Sequence, residues 1–186
     1  MTVYYVSDTH FGHSGLLSAR MARPRPFTSI EEHDEALIAA WNNRIRPGDT
    51  VWHLGDFAYG CSAARCREVF SRLHGIKHLV RGNHDAARTT SLPWASQQDR
   101  ATVTDRRVTF VLDHYAHRTW NGSHRGVLHL YGHSHGSLPG TGASLDVGVD
   151  CWAWRPVTTP EILEALEETR ALESGQAAVA ALAEAA

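Results

Sequence analysis

The sequence predicts an α/β fold with two mixed β-sheets and flanking helices, and three observations carry that expectation. Apolar, β-branched or aromatic runs alternate with segments of helical periodicity through the first half of the chain. In the second half such runs follow one another without long helical stretches between them. Short polar islands rich in Asp, Asn, His and Gly stand directly after several of the runs, where strands would end.

Thr2–Ser7 reads as the first strand. A helix should begin near Ser29, where S-I-E-E forms a capping box and Ile30, Leu37, Ile38 and Trp41 mark one apolar face. Thr50–Leu54 is the second strand. The helix after Ser62 carries Cys66, Val69, Phe70 and Leu73 at i, i+3, i+4 and i+7 and stops at Gly75, which makes Cys66 a core residue. Ile76–Arg81 follows as a third strand, and the order strand, helix, strand, helix, strand predicts parallel pairing with right-handed crossovers. Arg107–Asp113, Val127–Tyr131 and Ser144–Val149 are further strands, and their close spacing predicts an antiparallel second sheet. Thr159 should cap a last helix with Pro160 in its first turn, and Ile162, Leu163 and Leu166 form the stripe that covers a sheet. Beyond Gly175 the alanine-rich run has only Val179 and Leu182 as larger apolar anchors. The expected organisation is one domain over residues 1–175 and a loosely docked or partner-contacting tail over 176–186.

Composition fits a single domain: 186 residues, 42% hydrophobic, are enough for one well-buried core and short for two. A net charge of −2 supplies no global basic field and argues against tight, sequence-independent binding to long duplex DNA. Cys61, Cys66 and Cys151 are odd in number and form no C-x-x-C pair, so a reducing cytoplasm is expected rather than a disulfide or zinc framework. No targeting segment and no membrane-spanning run is apparent, because Asp8 interrupts the apolar start of the chain.

The islands are D-T-H at Asp8–His10, G-D at Gly55–Asp56, G-N-H-D at Gly82–Asp85 and G-H-S-H at Gly132–His135. With His114 they supply seven residues of the right types for two adjacent metal ions: Asp8, His10, Asp56, Asn83, His114, His133 and His135. Strand ends gathered at one sheet edge make a rigid, concave set of donors. Imidazole mixed with carboxylate and amide oxygen suits first-row divalent ions. In the two i, i+2 pairs, Asp8/His10 and His133/His135, extended backbone would turn both side chains to one side and Thr9 away. Neither a Walker sequence nor a serine elbow is found.

This ordered series resembles the calcineurin-like metallophosphoesterase superfamily over about Val3 to Val157, and the stretch from His114 through W-N-G-S-H-R-G to L-D-V-G-V-D is similar to a small bacterial and phage subgroup of it. The resemblance implies a four-layer αββα sandwich: two sheets face to face with helices outside. It also implies a two-metal centre, with Asp8, His10 and His135 on one ion, Asn83, His114 and His133 on the other, and Asp56 bridging. Manganese is expected first, with Fe, Ni, Co or Zn as alternatives. Two divalent ions offset by two carboxylates and a bridging hydroxide leave about one net positive charge, and in-line attack by that hydroxide on a phosphoester is the implied chemistry.

His84, next to Asn83, is the implied general acid, with Asp85 orienting and charging its imidazole. His13 is a candidate substrate contact. Arg118 and Arg125 could grip a second phosphate and Trp120 could stack on a base, or all three could simply pin their loop. Structural roles are expected for His53, His74, His78 and His129, and the proline-bearing loop from Ala22 to Thr28 could rim the pocket. The expected function is a phosphodiesterase before a phosphomonoesterase, acting on a small phosphoester, a nucleotide or a short nucleic acid, with no membrane and no obligate protein partner. A non-catalytic metal-binding scaffold of the same fold is the alternative; scaffolds of that kind typically lose ligands, whereas here all seven and His84 are present.

Overall fold

Alternation along the first strands divides their side chains between two cores. The computed structural model describes the backbone of residues 1–184 and the side chains of residues 1–175. In β1 (Val3–Val6), Tyr4 and Val6 enter one buried cluster and Tyr5 the other. The same split puts Val51 of β2 (Thr50–His53) and Leu79 of β3 (Ile76–Val80) in the first cluster and Val80 in the second.

The first cluster is closed by helices. Leu37, Ile38 and Trp41 of α1 (Ile30–Asn42) and Cys66, Val69 and Phe70 of α2 (Ala63–Arg72) cover that face. Ser29 and Ser62 cap these helices as expected, accepting from Glu32 N and Arg65 N at 3.1 Å each. After the short α3 (Ala87–Thr90) comes β4 (Ser96–Gln98), parallel to β3. The first sheet runs β4-β3-β2-β1-β9, in which only β9 (Val157–Thr158) is antiparallel.

The second sheet runs in the order β5 (Arg100–Asp105), β6 (Val108–Asp113), β7 (Leu128–Tyr131), β8 (Ser144–Asp146). It is mixed: β5 and β6 are antiparallel, whereas β6, β7 and β8 are mutually parallel. The expectation of antiparallel pairing fails because a parallel neighbour needs a crossover of roughly a dozen residues, not necessarily a helix. Residues 114–127 and 132–143 provide those crossovers as loops with at most a 3-10 turn. Parallel pairing sends the C-terminal ends of β6 and β7 to one edge, and their ligand-bearing loops go with them.

Phe110, Leu112, Leu128 and Leu130 meet Tyr5, Val80 and Val157 in the core between the sheets. That core extends to Ile162 and Leu166 of α4 (Thr159–Glu184), a flanking helix that also packs on β8 and β9. Its cap lies one residue earlier than expected. Thr158 N and Oγ1 donate to Glu161 at 2.9 and 2.7 Å, while Thr159 Oγ1 donates to Asp105 in β5. The helix continues through Gly175 into the alanine-rich segment; how the side chains of residues 176–186 dock lies outside the described residues. No helix among the described residues is long and apolar enough to cross a membrane.

Candidate metal centre

All five chain segments that bring predicted ligands together follow the C-terminal ends of strands with a parallel neighbour, β1, β2 and β3 in the first sheet and β6 and β7 in the second. Backbone hydrogen bonds lace them to one another: Asp8 N donates to Gly55 O at 3.0 Å, His10 N to Asp56 O at 2.9 Å and Gly132 N to His114 O at 3.0 Å. Side chains complete the weave, with His133 N donating to Asp8 Oδ2 at 2.9 Å and His84 N to Asp56 Oδ1 at 2.8 Å. The glycines of the islands are a consequence of this closeness. A Cβ on Gly82 would collide with Asp56, and one on Gly132 with Ser7 and Asp8.

The ligand backbone is not extended. Asp8, His10, Asp56, His133 and His135 all sit in the left-handed region, with φ of 57°, 48°, 57°, 65° and 47°. Each such residue costs on the order of 1–3 kcal/mol and persists only where its surroundings over-determine it. The i, i+2 pairs therefore reach the centre through kinks, not through the strand alternation expected for them. Thr9 does face away: its hydroxyl donates to Phe57 O at 2.9 Å and pairs with His53 Nε2 at 2.9 Å.

Two groups of donors result. Asp8, His10 and His135 form one, Asp56, His114 and His133 the other, with the donor atoms of each within 4.8 Å of one another. Asp56 Oδ2 lies 3.5 Å from His10 Nε2 and 3.5 Å from His114 Nε2, and so faces one histidine of each group. Asn83 Oδ1 stands 3.0 Å from His114 Nε2, beside the second group. Asp8 Oδ1 and His10 Nε2 are buried without any hydrogen-bond partner. A pair of divalent cations would satisfy those orphaned atoms, and the mixed nitrogen and oxygen donors fit them.

Tautomers follow from the partners. His114 Nδ1 donates to Leu54 O at 2.8 Å, which turns Nε2 toward Asp56. His135 Nδ1 donates to Asp150 Oδ2 at 2.8 Å, which turns Nε2 toward Asp8. Burial penalises charge on His114, but Asp56 and Asp8 outweigh it and hold its pKa at about 9. Burial also opposes ionisation of Asp56, yet His114 and the His84 amide keep it far below the usual carboxylate range. Asp8 goes the other way: burial dominates and raises it to about 7 despite His135 and His114.

His84 projects beside the first group, its ring 5.6 Å from that of His10 and edge-on to Tyr59 at 4.5 Å. His13 joins the same cluster, with Nδ1 3.3 Å from His10 Nδ1 and its ring 4.6 Å from Tyr59. Asp85 does not orient the His84 ring. Its oxygens accept from Asp56 N at 2.9 Å, Phe57 N at 3.0 Å and Gly82 N at 2.9 Å, because the G-D and G-N-H-D turns meet over it and present three buried amides.

The loop after His114 behaves as a pin where Trp120 is concerned. Trp120 Nε1 donates to Val127 O at 2.8 Å and its ring packs on His129 at 5.2 Å, so the indole is turned onto β7 and not offered to a base. Arg118 and Arg125 are exposed and form no ion pair among the described residues. The groove beside Asn83 is instead lined by Arg81, Arg100, Tyr115 and His117. On the other flank, residues 21–26 line a cavity of about 500 Å³ that reaches His135; Phe27 and Thr28, the end of the loop expected as a rim, are not part of its lining. His53, His74, His78 and His129 bond to Thr9, Ile45 O, Ser96 and Val111 O respectively, in structural roles.

The roles of five residues at the site escaped sequence reasoning. Asp150 orients His135; Asp146 accepts from Ser134 Oγ, Gly136 N and Gly148 N and shapes the G-H-S-H turn. Arg25 binds Asp150, Tyr59 packs on His84 and His13, and Tyr115 donates to Asn83 Oδ1 at 3.3 Å. The acidic pair in L-D-V-G-V-D, one residue ending β8 and the other just beyond it, was the available signal for the first two; nothing local marks Arg25.

Comparison with known proteins agrees with this fold. An uncharacterised protein of Methanocaldococcus jannaschii is 39% identical over 84 residues, 45% of this chain and 46% of that relative, so the match spans less than half of its length. The gene 66 protein of Mycobacterium phage L5 is 27% identical over 195 aligned residues, covering 87% of this chain and 92% of its own. A protein of unknown function from Aquifex aeolicus shares the fold, with a TM-score of 0.66 at 18% identity over 88% of this chain and 98% of that one. Residues 1–140 match the family model of the calcineurin-like phosphoesterase superfamily domain. The chain belongs to the calcineurin-like phosphoesterase superfamily, and its two Asp/His groups at the strand ends could each hold a metal ion.

Proposed function

We propose that the protein is a dinuclear-metal phosphohydrolase that cleaves phosphodiesters in preference to phosphomonoesters. The position of Asp56 supports this reading above all: its Oδ2 is equidistant, at 3.5 Å, from a histidine of each donor group. In this reading Asp8, His10 and His135 hold one ion, Asn83, His114 and His133 the other, and Asp56 joins them. When bound, two divalent ions activate water and polarise phosphoryl oxygens.

The chain's own residues supply the rest. His84, half-buried against Tyr59, is placed to deliver a proton to the leaving oxygen, and His13 beside it to contact the phosphoryl group. The preference for a diester rests on charge. Arg25 is committed to Asp150, Arg81 to Asp99 and Arg100 to Asp113, so these three add little positive charge beyond that of the centre itself, and Arg23, bonded to Gly136 O, is the one arginine lining the His135 cavity without a carboxylate partner among the described residues. A singly charged diester matches that surplus better than a doubly charged monoester. The substrate is a small phosphoester, a nucleotide or a short nucleic acid, and the three free thiols suit a reducing cytoplasm.

Metal-stripped protein reconstituted separately with Mn, Ni, Co, Fe and Zn tests the proposal. The panel comprises bis-nitrophenyl phosphate, nitrophenyl phosphate, 2′,3′- and 3′,5′-cyclic nucleotides and single-stranded DNA and RNA. Manganese should support diester cleavage with weak monoester cleavage, and Asp56→Asn should nearly abolish both. Faster monoester turnover would overturn the preference, and no turnover with any metal would favour the scaffold.

A further inference from the structure

We propose that Arg25 and Asp150 form a positioning pair that builds the first donor group, whereas among the described residues no arginine–carboxylate pair stands behind a histidine of the second. The inference rests on the two-ion reading above. Arg25 is only 4% exposed although it lies in a loop between a 3-10 turn and α1. Its guanidinium donates to Asp8 O at 2.6 Å and to Thr9 O at 3.1 Å, fixing the kinked backbone on which Asp8 and His10 stand. It also grips Asp150 through two parallel bonds of 2.9 and 2.7 Å. Asp150 in turn accepts from His135 Nδ1. One side chain therefore touches, directly or through one carboxylate, the framework of all three residues of that group.

The chemistry of the donors fixes the proton positions. A carboxylate can only accept, so His135 keeps its proton on Nδ1 and presents the Nε2 lone pair to the centre. Arg25 can only donate, so His33 Nε2, 2.8 Å from Arg25 Nη1, is unprotonated and its Nδ1 donates to Asp34 at 3.1 Å. Asp34 also accepts from Gly12 N and Arg65, which anchors the chain of contacts to α1 and α2. At the second group, among the described residues, the only comparable restraint on a ring is the backbone carbonyl of Leu54 on His114, and His133 is exposed.

Metal content of the full chain is the test, read by equilibrium dialysis with Mn and elemental analysis. Asp150→Ala should weaken one of the two bound ions by about 10–100-fold, the range for losing a carboxylate behind a histidine ligand, and leave the other within about threefold. Asp150→Asn, which still accepts from Nδ1 but carries no charge, should fall between. Arg25→Met should likewise cost one ion, and Arg25→Met with Asp150→Asn, which removes the buried unpaired charge, keeps the experiment readable should the single variant fail to fold. Two ions at unchanged affinity in folded Asp150→Ala, or parallel loss of both, would overturn the inference. Failure of the wild-type chain to bind two ions would instead overturn the two-ion reading on which it stands.

Discussion

Removing the charge of Asp8 should stabilise the metal-free protein while destroying its first metal site. Asp8 is fully buried, Oδ2 accepts from His133 N, and Oδ1 has no partner. Burial raises its pKa from 3.8 to about 7, with Asp146 adding to the rise and His135 and His114 opposing it. The folded state therefore holds the Asp8 proton more tightly than the unfolded state does. Stability on this account is fully present below about pH 4 and is lost as pH rises through about 7. A shift of about 3 units corresponds to at most about 4 kcal/mol, and water entering a metal-free cleft reduces it to about 1–3 kcal/mol. Asp8→Asn keeps the acceptor for His133 N and aims an amide donor toward His10 Nε2, itself unpartnered and 3.8 Å from Oδ1. Urea unfolding of metal-stripped wild type and variant should show the variant more stable at about pH 8.5, with the gap shrinking to less than half at about pH 4.5. Added Mn should then stabilise the wild type and not the variant. A metal-free variant equal to or weaker than wild type at alkaline pH would refute the reasoning.

Metal binding should release protons, because His114, held at about 9, is protonated in the metal-free protein near neutrality; at His135 burial is likewise outweighed by Asp150 and Asp8, and the shift is in the same direction. Calorimetric titration with Mn in two buffers of different ionisation enthalpy should show that release, with affinity climbing between about pH 6.5 and 9; a flat profile contradicts it. In the same metal-free protein the His114–Asp56 pairing contributes stability that is complete below the unfolded pKa of 6.5 and fades as pH passes about 9. His84→Ala should slow hydrolysis of alkoxide diesters by about 10²–10⁴-fold and nitrophenyl diesters far less, since nitrophenolate leaves without a proton. Equal losses on the two substrates would remove His84 from the acid role.

The parts of the fold read correctly from sequence are those governed by long apolar periodicities. α1 and α2 were legible because their caps and stripes are local, and β1, β2 and β3 because each is apolar on both faces. β5 was not: Arg100–Asp105 is mostly polar, and its hairpin turn at Arg106 and Arg107, with φ of 49° and 68°, lacks the Asn or Gly that announces such a turn. The ligand types were legible from their islands, since each glycine records a close approach. The roles of Asp85, Asp150 and Arg25 were not, because they depend on which backbone amides and rings distant segments bring together.

Hydrogen-bond saturation separates the carboxylates around the centre into two kinds. Asp85 accepts three backbone amides, Asp146 two amides and the Ser134 hydroxyl, and Asp150 two bonds from Arg25 and one from His135. Those groups hold loops in place and have little left to offer a cation. Asp8 and Asp56 each accept a single backbone amide on one oxygen and turn the other toward imidazoles. Five left-handed ligand residues and one unpartnered buried carboxylate oxygen are costly in the absence of metal. The saturated carboxylates and Arg25 keep that strained arrangement from relaxing, so the geometry is prepared without a cation, and a cation bound there would relieve an electrostatic cost the fold already carries.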